Sequence, residues 1–339
     1  MAVAALGGDM HRIELRNAVF EGRNNVYYLD GAVAGLVDTG ITVPAVREEL
    51  ESGIVAAGGS VSDIDEVLLT HWHPDHSALA GDIQADSGAT VRVHEADAPM
   101  LWPDSTAREE AGRERERLFE AWGVPEEKLS ELVSSASLGD DYWNSWPEVE
   151  PFADGDEFTV GGLDLEAVHL PGHAAGQCAF VFEREGRREA FVGDVILPKY
   201  TPNVGGADTR LDSPLERYVE SLVRVIDLDL DRAWPGHRDP IDDPSGRAAE
   251  IVEHHRERTR RVVNVLREHA PCDVWTVSAH LFGDLSGVHI LHGPGEAFAH
   301  LDHLKAHDVV AKDGEEFVLV DDDANLDALF PDVGLEASR

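Results

Sequence analysis

The sequence predicts an α/β protein: two β-sheets packed face to face with helices outside, then a small winged-helix-like domain. Three observations carry this. Short β-rich segments cluster twice, before about residue 95 and again from Glu157. Amphipathic segments of helical period interrupt both clusters. The apolar strands of both clusters run into turns that carry His or Asp, so strand ends from both can face one cleft. The order β…β-α-β, then β…β-α, suggests two similar halves, an αββα sandwich. Residues 1–244 are assigned to it, with a helical insertion at about 100–150, and residues 245–339 to the C-terminal domain.

In chain order, Arg12 to Val19, Asn25 to Leu29 and Val33 to Val37 are short, β-rich and separated by Gly, Asn and Asp turn signals. Val43 to Ala57 reads as an amphipathic helix. Val67-Leu68-Leu69-Thr70 reads as a buried strand, Ala78 to Asp86 as a helix and Thr90 to His94 as a strand. Residues 105–135 are charged and helical, an insertion covering the site. The β pattern returns at Glu157 to Val160, Leu163 to His169, Gln177 to Phe182 and Glu189 to Val192. Pro214 to Asp227 is then helical and Arg232 to Trp234 is a last strand. Asp239 to Gly246 has the composition of a linker. Helices at Ala248 to His269, Val274 to Phe282 and Glu296 to Ala306 follow. A hairpin of Val309 to Ala311 and Phe317 to Val320 about a Lys312-Asp313-Gly314 turn completes the winged-helix pattern.

Composition narrows the function classes. No apolar run approaches the roughly 20 residues that span a membrane, and the N-terminal stretch has no basic n-region, so a cytoplasmic location is expected. Cys178 and Cys272 form neither a CxxC pair nor a disulfide framework. The formal net charge is −38, from 66 acidic and 28 basic residues, and only Lys128, Lys199, Lys305 and Lys312 are lysines. The acid is spread along the whole chain rather than gathered in a tail. Such a charge repels itself in dilute buffer, and molar salt screens it. The expectation is a halophile's protein whose charge serves solubility in brine.

The run His71-Trp72-His73-Pro74-Asp75-His76 follows the strand at Val67. His71 and His73 are two apart, so extended backbone points both to one side. Pro74 stops the strand and favours a turn, which carries Asp75 and His76 to the other side of the same small volume. One chelating run can thus feed two adjacent centres. Neutral imidazole is the commonest metal ligand, and an N/O donor set suits Zn²⁺ first, with Fe or Mn as alternatives. Further candidates lie at strand ends: His173 in Leu170-Pro171-Gly172-His173, Asp194 in Phe191-Val192-Gly193-Asp194, and His237 in Trp234-Pro235-Gly236-His237. His94 and His169, at or near strand ends, are candidates for a supporting role.

The order HxHxDH, Gly-His, Gly-Asp, Gly-His resembles the metallo-β-lactamase-fold hydrolase superfamily over about residues 12–240. The resemblance implies an αββα metallo-β-lactamase sandwich holding two Zn²⁺. In it His71, His73 and His173 hold one ion, Asp75, His76 and His237 hold the other, and Asp194 bridges them. It implies hydrolysis by a hydroxide held between the ions, with Asp75 as a catalytic residue.

Three functions are compatible with that site. The ligand set resembles the glyoxalase II (hydroxyacylglutathione hydrolase) branch, which implies hydrolysis of a small ester or thioester. That branch's pattern after Asp194 is not matched closely by Ile196 to Asn203. The catalytic domain with a winged-helix-like partner resembles the β-lactamase-like protein 2 group, which implies cleavage of single-stranded nucleic acid. The basic run Arg256 to Arg261 would then touch phosphates. The third reading is a metal-binding regulatory or interaction protein. Small-molecule hydrolysis is the primary expectation, with nucleic acid as the alternative substrate, no membrane partner and a homodimer as an open arrangement. Trp102, Trp122, Tyr142, Trp143 and Trp146 are expected to line or cover the cleft.

Overall fold

The computed structural model describes residues 2–16, 22–134 and 142–334. The first sheet has seven strands in sequential order: β1 (Ala2–Ala5), β2 (Met10–Leu15), β3 (Asn24–Leu29), β4 (Ala34–Val37), β5 (Ile64–Leu68), β6 (Thr90–His94) and β7 (Val149–Phe152). β1 to β4 pair antiparallel, and β4 to β7 pair parallel. The second sheet runs in the order β12-β11-β10-β9-β8, with β8 (Glu157–Val160), β9 (Leu163–His169), β10 (Cys178–Arg184), β11 (Arg187–Gly193) and β12 (Arg232–Pro235). Only its β11–β12 pair is parallel.

Three apolar layers build the sandwich. Between the sheets lie Tyr27, Leu29, Val37 and Leu68 from one side, and Phe180, Phe182, Phe191 and Trp234 from the other. The outer face of the first sheet packs on α1 (Pro44–Ala56) and α3 (Ala80–Ser87) through Val46, Leu50, Ile54 and Ile83. The outer face of the second packs on α7 (Pro214–Asp227) and α8 (Pro244–His269) through Leu215, Tyr218, Leu222, Ala248 and Val252. Each helix buries one face because its apolar residues recur every three to four positions.

The insertion and the C-terminal helices share a core of their own. After the short α4 (Ala98–Leu101), α5 (Thr106–Ala121) and α6 (Glu126–Ser134) bring Phe119 and Leu132. α8, α9 (Val274–Phe282) and α10 (His289–Ala306) bring Val262, Val277 and Leu301, and the hairpin of β13 (Val310–Asp313) and β14 (Glu316–Leu319) brings Phe317. The insertion is therefore held by the C-terminal helices rather than hinged over the sandwich.

Several boundaries differ from expectation. The expected strand to Val19 ends at Leu15, and residues 17–19 lie outside those described. β1 and β7, unforeseen, are short strands added at the two opposite edges of the first sheet. The linker expected over Asp239 to Gly246 is cut short, because Pro244 opens α8 and the Asp243 carboxylate caps it by accepting from the Gly246 amide at 2.9 Å. Asp-Pro at the N-cap and first helical position is a helix start, which outweighs its turn-like composition. α10 begins at His289, seven residues before the expected Glu296, and runs through Pro294. Burial of Ile290, Leu291 and Ala297 outweighs the backbone bond that proline removes.

With a formal charge of −38, self-repulsion should dominate the response to salt. Raising KCl from about 0.1 M to about 2 M is expected to raise the melting temperature by about 10 °C, as the screening length falls to a few ångströms. A thermal melt followed by circular dichroism reads this. A flat or falling Tm would show that the acidic surface does not limit stability.

Candidate metal centre

β5 delivers the chelating run into the cleft at the strand ends. His71 and His73 leave the strand, and Pro74 starts the one-turn helix α2 (Pro74–Ser77) instead of a simple turn. Its first turn places Asp75 and His76. His173 follows β9, Asp194 follows β11 and His237 follows β12. Gly193 makes the Asp194 turn: its φ is +48°, and a Cβ there would lie 2.5 Å from Thr70 Oγ1.

All seven side chains are buried and converge. Donor atoms of His71, His73 and His173 lie within 4.8 Å of one another, and so do those of Asp75, His76 and His237. In the first triad His73 Nδ1 and His173 Nε2 are 3.0 Å apart. In the second, His237 Nε2 and Asp75 Oδ2 are 3.4 Å apart. Asp194 Oδ2 stands between the triads, 3.7 Å from His173 Nε2, 3.6 Å from His76 Nε2 and 3.4 Å from His237 Nε2.

The hydrogen bonding of these groups suits metal ions. His76 Nδ1 meets Asp38 Oδ2 at 2.9 Å, His71 Nδ1 meets Thr70 Oγ1 at 3.0 Å, and His173 and His237 use Nδ1 on the Asn203 and Arg23 carbonyls at 2.9 and 3.0 Å. Each such bond fixes a ring and turns its other nitrogen inward. The inward Nε2 atoms of His71, His76 and His237, and Asp194 Oδ1, are buried with no hydrogen-bond partner. Orphaned buried polar atoms of this kind are costly unless something binds them.

The electrostatics agree. Burial alone would raise the Asp194 and Asp75 carboxyls, yet His237 and His76 beside them hold both well below the carboxylate range. In return His237 is pushed up to about 10, against its burial, by Asp194 and Asp75, and His76 also rises. The two carboxylates thus call for positive charge at the centre of the cluster. Burial and His173 push His73 down to about 3, and burial and His76 lower His71, so both stay neutral as ligands require.

Asp38 was not foreseen. It sits at φ +61° after β4 and accepts from the Thr70 amide at 2.8 Å while facing His76. Gly236 is held close for a related reason: a Cβ there would meet His76 Cε1 at 2.5 Å and Asp194 Oδ1 at 2.6 Å. Gly236→Ala is expected to fold but to lose metal affinity by about tenfold or more, because it displaces two donors at once. Equilibrium metal competition against a chromophoric chelator checks this, and unchanged affinity would argue that the two side chains are not ligands.

A cavity of about 170 Å³ opens above the cluster, walled by Trp72, Met100, Tyr142 and Trp143. Arg210 braces its wall. It donates to Asp97 and Asp208, both buried, and these accept from the Trp72 and Gly176 amides and the Ala175 amide respectively. Their separation in sequence hid this network.

Other expectations are corrected by packing. Trp122 belongs to the helical core against Phe298, and Trp102 is exposed, so neither lines the cavity. Trp146 stacks on Trp143 and on Arg108. His94 and His169, expected in a supporting role, stack on each other at 3.9 Å, with His94 accepting from the Ala96 amide and His169 meeting the Ala175 carbonyl. The basic run is committed elsewhere: Arg256 and Arg260 pair with Glu253, Arg258 pairs with Glu296, and Arg261 donates to the Leu281 carbonyl.

A two-sheet sandwich carrying such a His/Asp cluster at its strand ends defines a class of metal-dependent hydrolases. Residues 19–237 match the model of the metallo-beta-lactamase superfamily, and the chain belongs to that superfamily. A metallo-beta-lactamase family protein from Thermus thermophilus is 32% identical and superposes with a TM-score of 0.81, over 93% of this chain and all of that one. A probable metallo-hydrolase of Bacillus subtilis is 27% identical over 84% of this chain and 88% of its own length. A beta-lactamase-like protein 2 homolog of Caenorhabditis elegans is 26% identical over 78% and 72%. Among the described residues no helix is long and apolar enough to cross a membrane.

Proposed function

We propose that this protein is a binuclear Zn²⁺ hydrolase acting on a small ester or thioester. The observation that carries the reading is the buried donor set: two triads meeting at Asp194, beneath an aromatic-walled cavity. His71, His73 and His173 would hold one ion, Asp75, His76 and His237 the other, with Asp194 between them. Bound there, the ions would supply Lewis acidity and an activated water at neutral pH. The chain's own part is to bind and orient. Asp38, Thr70 and the Asn203 and Arg23 carbonyls set the imidazole tautomers. Trp72, Tyr142 and Trp143 offer apolar contact to an acyl group and keep bulk water from its carbonyl. Asp75 and Asp194 supply the negative charge that retains the ions.

The cleavage of single-stranded nucleic acid has less support, because Arg256, Arg258 and Arg260 already hold carboxylates. The test is one assay series of the Zn²⁺-loaded protein on S-lactoylglutathione, simple aryl thioesters and single-stranded RNA, with Asp75→Ala alongside. Thioester turnover lost in the variant is expected. RNA cleavage without thioester turnover would overturn the reading.

A further inference from the structure

We propose that the groove next to the metal cavity binds the phosphate-bearing tail of the substrate, so that the acyl group is carried on a nucleotide-tailed thiol. The proposal rests on the hydrolase reading above and names its substrate class.

The groove holds about 960 Å³ and shares Asn203 and His292 with the wall of the metal cavity. Its lining has more cations than acids, in a chain whose acids outnumber its bases by 66 to 28. Lys199, Arg238, Arg247 and Arg258 line it. Its three acids are already committed: Glu250 to Arg247, Glu296 to Arg258 and Asp284 to Lys128. Among the described residues no carboxylate pairs with Lys199 or Arg238. Two free cations side by side on so acidic a protein are a site for an anion brought from outside.

The position of Arg238 ties this anion to the chemistry. Arg238 directly follows His237, and its backbone is held at φ +69° by its carbonyl, which accepts from Arg12 and Asn25. A non-glycine residue in that conformation needs a surrounding structure that imposes it, and such positions gather at ligand sites. The imposed turn lays the guanidinium over the Tyr200 ring, 4.5 Å from its centroid, with Lys199 Nζ at 5.5 Å. Tyr200 is 45% exposed. Arg247 holds this loop by donating to the Leu197 and Tyr200 carbonyls at 2.7 and 3.0 Å. An exposed aromatic ring flanked by two unpaired cations offers stacking to a base and charge to its phosphates. A tail lying there leads past Asn203 and His292 to the metal cavity, where the acyl group would sit.

The test is calorimetric titration of the Zn²⁺-loaded full chain with adenosine 3′,5′-bisphosphate, at the lowest KCl that keeps it folded. Binding is expected to weaken about tenfold or more in Arg238→Asn/Lys199→Gln, a pairing chosen because Asn tolerates the left-handed backbone. Arg187→Gln, an exposed arginine at the far end of β11, removes a charge remote from the groove and is expected to leave binding within twofold. If the double variant fails to fold, Lys199→Gln alone is expected to weaken binding about threefold. Undetectable binding at millimolar ligand, or equal weakening in Arg187→Gln, would overturn the proposal. So would single-stranded RNA that binds more than tenfold tighter and is lost in the same double variant, since the occupant would then be a polynucleotide. Failure of every thioester in the hydrolysis series, and of an acyl thioester of a nucleotide-tailed thiol added to it, with the bisphosphate still bound, would sink the hydrolase reading instead and leave the nucleotide groove standing.

Discussion

Asp194→Ala is expected to lower kcat/KM for thioester hydrolysis by about 10³ or more and to reduce bound metal. A single oxygen of Asp194 lies within 4 Å of members of both triads. Its removal would take away the carboxylate proposed to bridge the ions and one of the two carboxylates in the donor set. The remaining imidazoles are buried and cannot be solvated in its place. Asp194→Asn separates charge from shape, and should retain the fold while showing most of the same loss. Steady-state kinetics with metal analysis on the same preparations reads both. Activity within tenfold of wild type at full metal content would remove Asp194 from the bridging position.

Arg210→Ala is expected to destabilise the protein by about 3–5 kcal/mol, the cost of leaving buried carboxylates without their cation. Arg210 contacts Asp97 Oδ1 at 2.6 Å and Asp208 Oδ1 at 2.9 Å, and also donates to the Ala96 carbonyl at 2.8 Å. Burial would raise the Asp208 carboxyl, but Arg210 holds it well below the usual range. That depressed value contributes stability above the ordinary carboxylate pKa, and the contribution is lost as pH falls through the folded value. In the variant both carboxylates, buried without their cation, neutralise on acidification while wild-type Asp208 stays charged, so the gap between wild type and variant should be narrower at pH 4 than at pH 7. Arg210→Lys should recover only part of the loss, since an ammonium cannot fork between two carboxylates. Urea unfolding at pH 7 and pH 4 checks the magnitude and its sign. A loss under about 1 kcal/mol at pH 7 would show that the network is not what braces the wall.

The legible parts of this molecule were local ones. The chelating run announced itself because strand geometry and one proline place four donors within six residues. The two Pro-Gly-His turns and the Gly193-Asp194 turn were legible because each ends an apolar strand. The sandwich followed from the same strands, most of which alternation and turn residues had marked. What sequence did not show were partners assembled across distance. Asp38 meets His76 from 38 positions away, and Arg210 meets Asp97 from 113. A lone Asp or Arg in a chain of this charge carries no signal of its own. The start of α10 was hidden for a similar reason: Gly293-Pro294-Gly295 is a break by local propensity, and only its packed apolar face makes it helical. The free charge of Arg238 was equally invisible, because it depends on which carboxylates are already taken.

Counting ions decides whether these seven side chains form a two-metal centre. Calorimetric titration of chelator-stripped protein with Zn²⁺ should give two equivalents per chain, falling to about one in His237→Ala. A wild-type stoichiometry of one or none, or a His237→Ala variant that still binds two, would rule out a two-metal centre held by these residues.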